Sequence, residues 1–162
     1  MRYWLMKSEP EAYSIQDLAQ DGKTGWEGVR NYQARNLMRD DMQVGDLVLF
    51  YHSNAVPPGV VGLARISQTG VVDPSQFDSG GHYYDPKSSP DKPRWIMVEI
   101  EYCETFSRFL SLAELKNIPA LEGLVLLQKG SRLSVQPVSQ EHFELICELA
   151  GSQRFKQTLR VL

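Results

Sequence analysis

Only two cysteines and three histidines occur among the 162 residues, and neither set is spaced to hold a metal. His52, His82 and His142 share no i, i+4 or Cys/His spacing, so neither a metal nor a cofactor is expected. Cys103 lies in a strand-like run and Cys147 in a helix-like one, each among apolar neighbours, which marks both as reduced core residues. No apolar run approaches the ~18 residues of a membrane span, and the opening MRYWLMKSEP has no apolar signal core. A soluble, cytoplasmic protein with no membrane partner is expected. There is no G-x-S-x-G nucleophile elbow, and the glycine-rich phosphate loop of a nucleotide-binding sheet is also missing. A net charge of −3 argues against coating nucleic acid through phosphate contacts alone.

Positive charge is nevertheless concentrated locally. Between residues 22 and 39, Lys23, Arg30, Arg35 and Arg39 face a single acid, Glu27, and Arg154, Lys156 and Arg160 in the tail face none. The first of these stretches, WEGVRNYQARNLMR (26–39), reads as a loop feeding a helix. Asn31 suits an N-cap accepting from the amide of Gln33 or Ala34. Ala34, Leu37 and Met38 then fall on one apolar face, and Arg35 and Arg39 pair at i, i+4. The free amides at such a helix start suit a phosphate or a base carbonyl.

At this length a single domain spanning 1–162 is expected. RYWLMK (2–7), DLVLFYH (46–52), VVGLARIS (60–67), RWIMVEIEYCETF (94–106), residues 124–127 and residues 132–136 read as six strands. The run at 46–52 lacks alternation and therefore reads as covered on both sides. Gly62 suggests a bulge or close backbone approach. Ser14, Ser111 and Ser139 are placed to cap short helices, and Gly151 to end the last one. Residues 73–93 form a long polar excursion, and 152–162 a terminal strand or tail. The fold class is α+β: a small curved mixed sheet or open barrel of about six strands with short peripheral helices.

Polar and aromatic clusters fall at strand ends and helix starts: Lys7 and Ser8; Trp26 with Asn31 and Tyr32; His52 and Ser53; Arg132 with Ser134. Converging on one mouth, they would make an aromatic and polar pocket for a flipped or single-stranded base, with arginines outside for phosphates. Ser8, Ser53 and His52 could also meet as a hydrolytic group, and a nuclease or hydrolase using His52 in the same cavity is the alternative. A small-molecule or nucleotide sensor is a third reading.

The blocks WLMKSEP (4–10), WEGVRNYQARNLM (26–38), GDLVLFYHSN (45–54), GLARI (62–66), YYDPKS (83–88), PRWIMVEI (93–100) and SRLSVQPV (131–138) resemble EVE domains over nearly the whole chain. That resemblance implies a PUA-like pseudo-barrel, related to PUA, ASCH and YTH modules. It also implies a non-catalytic reader of modified bases, of the 5-methylcytosine, 5-hydroxymethylcytosine or N6-methyladenine type, in DNA or RNA. Carried onto this chain, it implies a pocket of Lys7, Ser8, Trp26, Asn31, Tyr32, His52, Ser53 and Ser134, with Arg30, Arg35 and Arg132 at phosphates or base edges. The aromatic cage of YTH modules does not transfer, because their motifs are missing. A nuclear eukaryotic member of the family carries a basic extension ahead of the domain, whereas this chain starts at Met1-Arg2-Tyr3-Trp4, so a bacterial, cytoplasmic setting is expected.

Overall fold

Two apolar runs lie side by side at the centre of the computed structural model, which describes residues 1–155. β1 (Tyr3–Ser8) and β3 (Leu47–His52) pair in parallel, from Tyr3 opposite Leu47 to Ser8 opposite His52. β4 (Gly59–Val72) runs antiparallel to β3, and β5 (Ile96–Ser111) antiparallel to β4. The three-residue β2 (Lys23–Gly25) edges β5, and β6 (Val135–Val138) edges β1. The order β2-β5-β4-β3-β1-β6 makes an open mixed sheet. Register shifts along β4 and β5 supply the bulges that curve it. Gly62 lies at one of them, where a Cβ would sit 2.6 Å from the Glu104 carbonyl oxygen and 2.7 Å from Ile15.

Side-chain alternation along β1 and β3 divides the interior into two cores. Leu5, Leu49 and Tyr51 face α4 (Gln140–Leu149) and pack on Phe143, Ile146 and Cys147. Trp4, Met6, Val48 and Phe50 face the other way, under α1 (Ile15–Asp21) and α2 (Tyr32–Asn36). Cys147 is buried and Cys103 half-buried, and both are free thiols. The strand with no alternation is therefore covered on both faces, as its sequence implied.

The serine caps form as read. Ser14 and Asp17 make a reciprocal capping box on α1, Ser111 accepts from the Glu114 amide at α3 (Leu112–Lys116), and Ser139 accepts from the His142 amide. Gly151 has φ +71, a conformation glycine reaches without strain. At the start of β1, buried Asp46 accepts from the Trp4 indole at 3.0 Å and from the amides of Arg2 and Gln43.

Three expectations change. Residues 124–127 are not a strand: Val125–Leu127 is a 3-10 turn, with Leu124 and Leu126 buried in the core under α4. Gly123 and Gly130, both at positive φ, turn the chain on either side and leave no length for a ladder. The sixth strand is β2, too short to carry an apolar pattern, and β6 starts three residues and ends two residues later than expected. The helix after Asn31 closes after five residues and passes into a π-turn, Leu37–Asp41, whose Met42 amide bonds Leu37. Ala34 and Met38 do anchor it. Of the terminal segment, residues 156–162 lie outside the described residues, while Phe155 packs on Phe143 at 5.8 Å. Among the described residues, no helix is long and apolar enough to cross a membrane.

Candidate functional site

Parallel pairing in full register carries the ends of β1 and β3 to one edge, with Ser8 opposite His52. The Ser53 amide donates to the Ser8 carbonyl at 3.0 Å, and the Lys7 amide to the Ser134 carbonyl at 2.8 Å. The backbone thus gathers Lys7, Ser8, His52, Ser53 and Ser134, but the pleat separates their side chains. Lys7 lies over the Tyr51 ring at 5.9 Å, on the α4 face, and burial lowers its pKa. His52 stands on the opposite face, edge-on to Phe50 at 5.7 Å, and Phe50 meets Trp26 edge-on at 5.5 Å.

Trp26 is 8% exposed and belongs to the core under α1 and α2. The three tryptophans differ at their indole N–H groups. Trp4 donates to Asp46 at 3.0 Å and Trp95 to Asp85 at 2.7 Å. Trp26 has no acceptor among the described residues, yet no unpartnered side-chain nitrogen is sealed from solvent. Its N–H therefore reaches solvent at the edge of the core that holds Trp26 and Phe50.

His52 accepts from the Ile15 amide through Nε2 at 3.1 Å, so the ring is neutral and Nδ1–H is its remaining donor. Ser8 donates to the Tyr13 carbonyl at 2.6 Å. The serine–histidine pair that the hydrolase alternative needs is therefore not assembled: each group instead ties the sheet to the start of α1. Burial holds the His52 pKa below the ordinary 6.5. An unfolded chain takes up the proton first as pH falls below 6.5, so this group's contribution is destabilising at acid pH and nil above. Stability measured from pH 7 to 5 is expected to fall more steeply in the wild type than in His52→Gln.

Asn31 and Tyr32 form a separate group with the 73–93 excursion and with Arg94 and Trp95, expected to open a strand but preceding β5. Asn31 caps α2, accepting from the Ala34 amide at 3.0 Å. Tyr32 stacks on Trp95, with centroids 4.8 Å apart and planes 19° from parallel. Arg35 lies 4.6 Å from the Tyr32 centroid and donates to the Arg94 carbonyl. Fully buried Gln76 fastens the excursion, its amide nitrogen donating to the carbonyls of Asp73 and Trp95 while its oxygen accepts from Ser88 and the Trp95 amide. Asp73 accepts from the Gly28 amide at 2.9 Å and pairs with Arg30 at 3.1 Å.

Arg30 also donates to Val29, Ser75 and Tyr83, which engages all five of its N–H groups. A phosphate role for Arg30 gives way to a structural one. Arg132 is exposed, and among the described residues its side chain makes no hydrogen bond or ion pair. Two clefts, of about 340 and 350 Å³, lie around residues 116–128 and at the start of β1, away from these groups.

The EVE domain family profile matches residues 2–149. The chain belongs to the EVE domain family. Thymocyte nuclear protein 1 of Homo sapiens is 41% identical over 166 residues, covering 91% of this chain and 73% of that protein. A crystal structure of a Pseudomonas putida protein, 49% identical, superposes with a TM-score of 0.87 over 91% of this chain and 99% of the other. The human protein crystallised with 5-methylcytosine-containing DNA is 39% identical, with a TM-score of 0.87 over 94% of this chain and 99% of the other. In this EVE domain the open mixed sheet is the PUA-like fold that the resemblance implied.

Sequence reasoning located the ends of β1 and β3 but missed Asp73, Gln76, Tyr83, Asp85 and Trp95, which hold the EVE loop 26–31 in place. Their role rests on bonds to residues far along the chain, for which no local pattern exists. One signal was readable: Lys7 and Ser8 are neighbours in a strand and must point to opposite faces.

Proposed function

We propose that this EVE domain is a non-catalytic reader that holds one modified base of a nucleic-acid strand at the mouth beyond β1 and β3. The observation that carries the reading is the 94% coverage, at a TM-score of 0.87, by the human protein crystallised with 5-methylcytosine DNA. A base at this mouth would meet the Trp26 indole N–H, the Nδ1–H of His52 and the hydroxyl of Ser53. Donors of that kind suit the O2 and N3 acceptors of a cytosine, and 5-methylcytosine in DNA is the first candidate. Asn31, Lys7, Ser134 and Arg132 are proposed further out, along the strand rather than around the base. A working place in the cytoplasm of a bacterium belongs to the same proposal, as does action on RNA.

Magnitude limits what a methyl group achieves. Burying one adds about 0.8 kcal/mol, a factor of around four. A hydroxymethyl group that reached a buried acceptor would be discriminated more sharply, because an unpaired polar group is costlier than an unfilled methyl pocket. Titrations with oligonucleotides differing in one base are expected to rank 5-methylcytosine about fourfold above cytosine at low salt. Equal affinities across cytosine, 5-methylcytosine, 5-hydroxymethylcytosine and N6-methyladenine, in both DNA and RNA, would defeat the reading. A free nucleoside bound as tightly as the same base in a strand would favour the sensor instead.

A further inference from the structure

Four planar groups from two distant parts of the chain cluster together, two of them stacked face to face. The Arg30 guanidinium carbon is 5.7 Å from the Tyr83 centroid and 5.0 Å from that of Trp95. Trp95 stacks in turn on Tyr32. The inner members are fixed: Arg30 by its five donated bonds, and Trp95, 5% exposed, by the indole bond to Asp85. Tyr32 ends the series and is 50% exposed, although one side of its ring is covered by Trp95. A large ring stacked on a fixed indole yet half exposed, with the Arg35 guanidinium 4.6 Å from its centroid, offers a preformed stacking surface.

A cation lies against the exposed ring. Arg35, beside Tyr32, uses three of its five N–H groups, two bonding to Asn36 and one to the Arg94 carbonyl. The side chain of Arg94 makes no hydrogen bond or ion pair among the described residues. Of the acids in this region, Asp40 is paired with Arg39 at 2.8 Å and Asp85 accepts from the Trp95 indole at 2.7 Å. A rigid π-plane with Arg35 against it, and with Arg94 held next to Arg35 through its carbonyl, is complementary to a nucleotide, whose base stacks and whose phosphate is anionic. The loop that carries Trp26 to the mouth also delivers Tyr32.

We propose that the open face of Tyr32 receives the base next to the one held at the mouth, with Arg35 and Arg94 meeting the intervening phosphate. This rests on the reader function and moves Tyr32 from the pocket wall to a neighbouring site. It selects for a strand over a free nucleoside, because only a strand supplies the second base.

The test measures binding of single-stranded DNA with one 5-methylcytosine, comparing natural neighbours with an abasic residue on the 5′ or the 3′ side. For the wild type, one of the two abasic strands is expected to bind at least about fivefold more weakly. Tyr32→Ala should already have lost that factor and be indifferent to the abasic change, while keeping the wild-type ratio of methylated to unmethylated affinity. Tyr32→Phe should behave as wild type. If neither abasic strand binds the wild type more weakly, or if Tyr32→Ala abolishes the methylation ratio, the proposal is overturned and the reader function stands. If the wild type binds no strand at all, both fail.

Discussion

Asp73→Ala is expected to lower the unfolding free energy by about 3 kcal/mol, the lower end for a broken buried ion pair. The lower end applies because Arg30 remains 23% exposed and regains some water, whereas Asp73 is 3% exposed. The carboxylate joins the Gly28 amide, the Arg30 guanidinium and the Ser75 amide. Without it, Arg30 keeps its bonds to Tyr83 but loses the charge it was oriented toward. Part of the loss should appear as local opening of the 26–31 loop rather than of the whole sheet. Urea unfolding gives the total, and amide exchange at Gly28, compared with β3, gives the local share. An unchanged midpoint together with unchanged exchange at Gly28 would remove Asp73 from the account.

Trp26→Ala is expected to cost about 3–5 kcal/mol, as for other large aromatic truncations in a core. At this chain length that lowers the melting temperature on the order of 10 °C. Trp26 packs on Phe50 within the core under α1 and α2, so the alanine variant cannot separate folding from recognition. Trp26→Phe keeps most of the volume and removes the indole N–H. Its stability loss should be well below that of alanine, while affinity for a strand with a modified base falls about fivefold or more, the value of one hydrogen bond left unmade to a buried acceptor. A phenylalanine variant that binds as the wild type does would make Trp26 a core residue alone.

The central strands were legible because burial on both faces leaves a continuous apolar run, as in residues 47–50, and burial on one face leaves alternation, as in residues 96–102. Caps were legible because Ser14, Asn31, Ser111 and Ser139 act on amides within three residues. The failures have a common physical source. Residues 124–127 have strand-like composition, yet Leu124 and Leu126 are buried in the core under α4 from a 3-10 turn and pair with no strand among the described residues. β2 exists only because β5 offers an edge opposite residues 99–101. The candidate site was half legible: chain order and pairing set Ser8 against His52, but the use of both to hold α1 depends on Tyr13 and Ile15, whose backbone groups carry no side-chain signature. Arg30 looked like a phosphate ligand because its buried partner, Asp73, lies 43 residues away in a stretch without pattern.

The most direct test of the mouth is the indole N–H region of the nitrogen–proton NMR spectrum, which resolves one signal per tryptophan. Trp4, bonded to Asp46 at the other end of β1, serves as the fixed reference. On adding a single-stranded oligonucleotide with one 5-methylcytosine, the Trp26 indole signal, assigned by its loss in Trp26→Phe, should shift downfield as it gains an acceptor, while Trp4 stays in place. A strand that binds and leaves the Trp26 signal unmoved would contradict a base held between β1 and β3.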